Sequence, residues 1–113
     1  ESVKRTTAEH TSVVVGRWNN GCIGTLHAVH RWPAEYKVIK FGDEGVVEQT
    51  QAGDYVHLLR EIMTFFRSGK PPVTAEQTLE IYAFMEAADE SKRRDGAEVK
   101  LSELMQRATS VCG

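Results

Sequence analysis

Two punctuated helices and the linker between them constrain this chain most. Asp54 is a residue type that caps helix starts, and Tyr55, Leu58, Leu59, Ile62, Met63 and Phe66 follow it at i, i+3, i+4, i+7, i+8 and i+11. That spacing predicts one apolar stripe facing a core. Gly69 then supplies a left-handed stop, and Pro71-Pro72 forbids continuation. Thr74 with Gln77 reads as a capping box opening a second helix, which carries Leu79, Ile81, Tyr82, Phe84, Met85, Ala87 and Ala88 and ends near Asp95-Gly96. Its middle is apolar nearly all round, so burial from more than one direction is expected. Ala97 to Leu101 reads as a short closing strand, with Ser102 capping a last helix through about Ala108.

The residues before Asp54 are written in strands. His10 to Trp18 is rich in β-branched and aromatic residues, Asn19-Asn20-Gly21 provides the left-handed backbone of a hairpin, and Cys22 to Val29 returns as its partner. A second hairpin runs from Tyr36 to Phe41, turns through Gly42-Asp43-Glu44-Gly45 and comes back over Val46 to Gln49. Pro33 keeps the connection from His30 to Glu35 out of a central ladder, so it is a loop or an edge. Val13, Val14 and Val15 are all apolar, as are Val38 and Ile39, which puts oily side chains on both sheet faces. One face packs on helices and the other wants a cover. The expected fold is therefore α+β in two layers: a single domain over residues 1–113, with a mostly antiparallel open sheet and helices on one face.

Composition narrows the function classes. With 113 residues, 41% hydrophobic and 27% charged, the chain describes one globular domain with a small core. No apolar run approaches the ~20 residues of a membrane crossing, and no secretion signal follows Glu1-Ser2-Val3-Lys4-Arg5, so a cytoplasmic setting is expected. The 14 Lys+Arg against 16 Asp+Glu, a net charge of -2, give no reason to expect nucleic acid. Cys22 and Cys112 lack metal or redox spacing and read as a small apolar filler and an incidental thiol.

The motifs are mostly bland. There is neither G-x-G-x-x-G nor a P-loop: Gly69-Lys70 is followed by Pro71 where Ser or Thr belongs, and Thr64 stands where the first Gly belongs. The histidines at 10, 27, 30 and 57 have no carboxylate or thiolate partners at metal-ligand spacing, and no metal site is expected. Ser91-Lys92-Arg93-Arg94 complements the end of the second helix, with Glu86 and Glu90 one turn back. The most ligand-like spot is His30-Arg31-Trp32, near Tyr36, which gathers a titratable ring, a cation and an aromatic plane at a strand end. Its competing reading is an exposed connection whose Trp32 tucks under the sheet.

The runs Asn20-Gly21-Cys22-Ile23-Gly24-Thr25-Leu26, Gly42-Asp43-Glu44-Gly45-Val46-Val47, Ser68-Gly69-Lys70-Pro71-Pro72-Val73 and Phe84 to Lys92, in that order, carry a resemblance. From about Ala8 to Leu104 the chain resembles the C-terminal domain of the Gfo/Idh/MocA oxidoreductases. The resemblance implies an NAD(P)-dependent parent enzyme acting on a sugar, cyclitol or similar polyol. In that family an N-terminal Rossmann domain holds NAD or NADP, and the C-terminal domain shapes the substrate side and dimerises through its exposed sheet face. No catalytic or cofactor-binding residue transfers to this chain: the family's Glu-Lys-Pro is unmatched, and its active-site histidine and acid belong upstream of Glu1. His30, Arg31 and Trp32 stand as substrate-side candidates. The rival expectation is a stand-alone self-association module without enzymatic role.

Overall fold

A computed structural model describes residues 1–31, 35–51 and 53–112. In chain order the elements are β1 (Ser2–Ala8), β2 (Thr11–Arg17), β3 (Ile23–Val29), β4 (Val38–Gly42), β5 (Gly45–Gln49), α1 (Tyr55–Ser68), α2 (Ala75–Arg93), β6 (Val99–Lys100) and α3 (Leu101–Cys112). The architecture is α+β with antiparallel sheets. Two compact units divide the chain: Glu1–Trp32 with Thr74–Gly113, and Pro33–Val73. No described helix is long and apolar enough to cross a membrane.

The first unit is a four-stranded sheet in the order β3-β2-β1-β6 under α2. The first hairpin forms where the sequence places it, with Arg17 opposite Ile23 and Gly21 at φ 87° closing the connection. Its neighbour β1 does not stand out in the sequence, because Ser2-Val3-Lys4-Arg5-Thr6-Thr7-Ala8 is mostly polar. It nevertheless holds the position between β2 and β6, joined to β2 by the tight turn Glu9-His10. The register assigns one row of side chains to each face: Val3, Arg5, Thr7, Ser12, Val14, Gly16, Gly24, Leu26, Ala28 and Val99 share the helix-facing side.

Small residues let α2 lie close on that row. Ala83, Ala87, Ala88 and Ser91, spaced to fall on one helix face, are buried against Val3, Val14, Val99 and Leu101. Ser91 is fully buried, and its hydroxyl is satisfied on both sides: it accepts from the Arg5 backbone N–H at 2.9 Å and donates to the Ala97 carbonyl at 2.6 Å. A slot for aromatic rings lies next to it. Gly16 and Gly24 are paired across β2 and β3, and a Cβ on Gly16 would come 2.5 Å from Phe84 and 3.0 Å from Trp18. Trp18 stacks on Phe84 with ring centroids 5.8 Å apart and donates its indole N–H to Glu80 at 3.1 Å.

The capping box is present as the sequence predicts, with Gln77 N–H donating to Thr74 Oγ1 at 3.2 Å and Thr74 N–H to Gln77 Oε1 at 3.0 Å. Burial of α2 from several directions does not occur: Leu79, Ile81, Tyr82 and Met85 remain exposed, because the sheet covers one side of the helix. The last helix also differs from expectation. It begins at Leu101, directly after β6, so Ser102 sits in its first turn rather than at the cap, and it extends to Cys112. Cys22 precedes β3 and is exposed rather than a buried filler, while the thiol of Cys112 lies outside what is described.

α3 is tied to α2 by charge. Glu90 accepts from Arg93 at 2.7 Å and Arg94 at 2.8 Å, Arg94 reaches on to Glu103 at 2.7 Å, and Arg107 closes on Glu103 at 2.7 Å. Of the basic run at Ser91-Lys92-Arg93-Arg94, Arg94 is thus engaged in the pairing between helices, while Arg93 pairs within α2, on Glu90 and on Glu86 at 2.6 Å.

In the second unit β4 and β5 pair as the expected hairpin, with Gly45 at φ 135° in its turn. α1 is capped by Asp54, whose carboxylate accepts from Val56 N–H at 3.2 Å, and stops at Gly69 with φ 69°. Its apolar stripe faces no core: Tyr55 is 79% and Phe66 76% exposed, and no residue of α1 is buried.

Two outcomes follow from these contacts. Gly16→Ala forces the Trp18–Phe84 pair apart and is expected to lower unfolding stability by roughly 1–3 kcal/mol, as overpacking does. A urea midpoint matching that of the parent chain removes the slot from the account. Hydrogen bonds from Arg93 and Arg94 hold the Glu90 carboxyl below its ordinary range, and one from Arg94 does so for Glu103. The folded state therefore takes up these protons less readily than the unfolded chain. The clasp contributes fully above the unfolded glutamate value, about pH 4.3, and is lost as pH falls through the lower folded values. A Glu90→Gln, Glu103→Gln double variant should flatten the fall in melting temperature between neutral and acid pH; an unchanged slope refutes the assignment.

Candidate functional site

The turn Glu9-His10 and the exit from β3 meet at one end of the sheet, because Ala8 pairs with Thr11 and Thr11 with Val29. The His30 backbone N–H donates to the His10 carbonyl at 2.8 Å, which extends the ladder one step past β3. Two side-chain groupings result.

The first is inward. Ser12 is only 2% exposed, and its Oγ lies 3.1 Å from His30 Nε2 and 3.4 Å from Thr7 Oγ1. A hydroxyl has one hydrogen. If Ser12 donates it to Thr7, His30 donates from Nε2; if Nε2 accepts from Ser12, Thr7 is the donor to Ser12, so the tautomer of His30 and the direction of the chain are linked. A serine beside a histidine suggests a nucleophile, yet this oxygen is closed off from any incoming substrate, so its role is to anchor His30.

The second is outward. Arg31 Nη2 donates to His10 Nε2 at 3.0 Å, so that nitrogen is an acceptor and a neutral His10 carries its proton on Nδ1. Glu9 Oε1 lies 3.4 Å from the same nitrogen. On the opposite sheet face His27 Nε2 lies 2.8 Å from Thr11 Oγ1, which itself donates to the Ala28 carbonyl at 3.2 Å. His27 and His30 thus take opposite sides, as a three-residue separation around a strand requires. His57 is on α1 in the second unit.

Of the substrate-side candidates, His30 and Arg31 come together at this end, and Trp32 lies outside the described residues. Sequence reasoning missed Thr7, His10 and Ser12 as their neighbours. For His10 and Ser12 the signal was the register of the predicted hairpin, which sets Ser12 opposite Ala28 and His10 beside His30; for Thr7 it was the β-branched pair Thr6-Thr7, legible only once β1 is accepted as a strand. Among the described residues no three His, Cys, Asp or Glu side chains form a metal-ligand group.

The sheet face away from α2 is the other candidate surface. The register places Val13 and Val15 there with Ile23 and Val29, among Thr6, Thr11, Thr25, Lys4 and Arg17. Ile23 is 68% and Val29 53% exposed.

Comparison with protein-family models, curated proteins and solved structures gives no match to this chain.

Proposed function

We propose that this chain is the substrate-side and self-association domain of an NAD(P)-dependent oxidoreductase of the Gfo/Idh/MocA kind, acting on a sugar, cyclitol or related polyol. The observation that carries the proposal is an open antiparallel sheet whose one face lies under α2 while the other exposes Ile23 and Val29 beside Val13 and Val15. A face of mixed β-branched and threonine side chains is suited to pair with its own copy, and burying it removes apolar surface from water at about 25 cal/mol per Å². In this reading the dinucleotide is held by a separate Rossmann domain, and hydride transfer belongs to the assembled enzyme. His30 and Arg31 then face the substrate, with the buried Ser12 holding His30, and Trp32 remains a candidate from the sequence alone.

The second reading, a stand-alone self-association module, is favoured by the wholly exposed apolar stripe of α1, a ready docking ridge. The natural open reading frame separates the two. A strand, G-x-G-x-x-G and helix encoded in frame ahead of Glu1 supports the oxidoreductase domain; a start codon at that position gives the chain to the module. Self-association is tested on the protein itself. Sedimentation should show a dimer, and Ile23→Lys with Val29→Lys should weaken it at least about tenfold, since charge at the centre of an apolar interface costs 1.4 kcal/mol or more. A chain that stays monomeric at every concentration ends the proposal for this face.

A further inference from the structure

Among the described residues, arginines that make side-chain hydrogen bonds meet carboxylates, with one exception. Arg5 meets Asp89, Arg93 meets Glu86 and Glu90, Arg94 meets Glu90 and Glu103, and Arg107 meets Glu103. Arg31 instead meets the lone pair of a neutral imidazole, His10 Nε2, at 3.0 Å. We propose that the sheet end bearing His10 and Arg31 binds the carboxylate of an acidic sugar, a polyol that carries a carboxyl group. This inference rests on reading the same corner as the substrate side, and it adds the charge of the substrate.

The chemistry is that of a fork awaiting its anion. A guanidinium has five N–H donors in one plane, and a single bond to His10 leaves most of them for a carboxylate, which they match two at a time. His10 positions that fork by accepting from Nη2, and its own Nδ1–H is a further donor. The exposed His30 ring, next in the chain to Arg31 and hydrogen-bonded to Ser12, adds a polar group suited to a sugar hydroxyl, while Ser12 itself is sealed and serves as its anchor. Cation and hydroxyl partners side by side fit a hydroxylated carboxylate better than a neutral polyol, which would leave the guanidinium charge unanswered. Glu9 is the internal competitor, since its carboxylate is near His10 Nε2 at 3.4 Å and its side chain is 87% exposed and free to swing away.

The test is a titration of the 113-residue chain, followed by amide NMR signals, with glucuronate, its methyl ester and glucose. Glucuronate should move the signals of His10, Ser12, His30 and Arg31, and the two neutral ligands should bind at least about tenfold more weakly. Arg31→Gln, an exposed position whose change leaves the core intact, should weaken glucuronate by about tenfold, and Glu9→Gln should strengthen it. Equal shifts from the ester and glucose overturn the carboxylate and leave the substrate-side reading standing. Unchanged glucuronate affinity in Arg31→Gln also overturns it, as do concentration-dependent shifts at these residues without ligand, which place a second copy's carboxylate on Arg31. If none of the three ligands moves these signals, both the inference and the substrate-side reading fall.

Discussion

Close approach of α2 to the sheet is the constraint on which the first unit depends. Ala83, Ala87 and Ala88 keep the helix face flat, and Ser91 places a hydroxyl where a larger side chain would hold the helix away. That hydroxyl joins the backbone of β1 to the carbonyl of Ala97, so one buried atom links the helix, the polar strand and the path into β6. The cost of burying it is offset because both its donor and its acceptor roles are filled. Gly96, at φ 85°, then turns the chain back beside Arg5, where a Cβ would meet the Arg5 carbonyl at 3.1 Å.

The same closeness decides what is left uncovered. A helix lying low over β1 and β6 can satisfy only one side of itself, so Ile81, Tyr82 and Met85 stay in solvent. Toward β3 the contact thins, and the gap is filled by Trp18 lying over Gly16 and Gly24 against Phe84. Two glycines directly across a ladder weaken the strands that contain them. Here they make room for the largest side chain of the unit, whose indole N–H keeps a partner in Glu80. Stability is thereby concentrated along β1 and α2, while the β3 side and the open face carry exposed apolar groups.

What could be read from the sequence was local. Both hairpins, the capping box at Thr74 and Gln77, the stop at Gly69 and the charge pairing of Arg93 with Glu86 and Glu90 depend on residues a few positions apart, and each is present. β1 was not legible, because Lys4, Arg5, Thr6 and Thr7 carry no apolar alternation, and of its two partners only β2, from Thr11 to Arg17, is near in sequence while Val99 lies far along the chain. The start of α3 was misplaced for a related reason: pairing of Val99 and Lys100 with β1 runs straight into the helix and leaves Ser102 no capping position. The stripe on α1 was read correctly as a stripe, but periodicity names a face and not what covers it. At the site, His30 and Arg31 were legible as a strand exit, and the expected pairing of β2 with β3 already sets His10 and Ser12 beside them; only Thr7 arrives through the unseen strand β1.

That hairpin also gives the sheet end its division of labour. Ser12 belongs to the helix-facing row and is sealed, so the exposed His30 ring is hydrogen-bonded to an atom whose position the core sets. His10 and Arg31 belong to a turn and a strand exit, are exposed, and hold one another through a single hydrogen bond between a cation and a neutral ring. Such a bond is weaker than the guanidinium–carboxylate pairs found elsewhere in the molecule, and it can be exchanged for a better acceptor at little cost. The two groups at this sheet end are therefore held differently, the His30 imidazole by a buried hydroxyl and the Arg31 guanidinium by an exposed ring. The core determines the first, and the sequence of the turn determines the second.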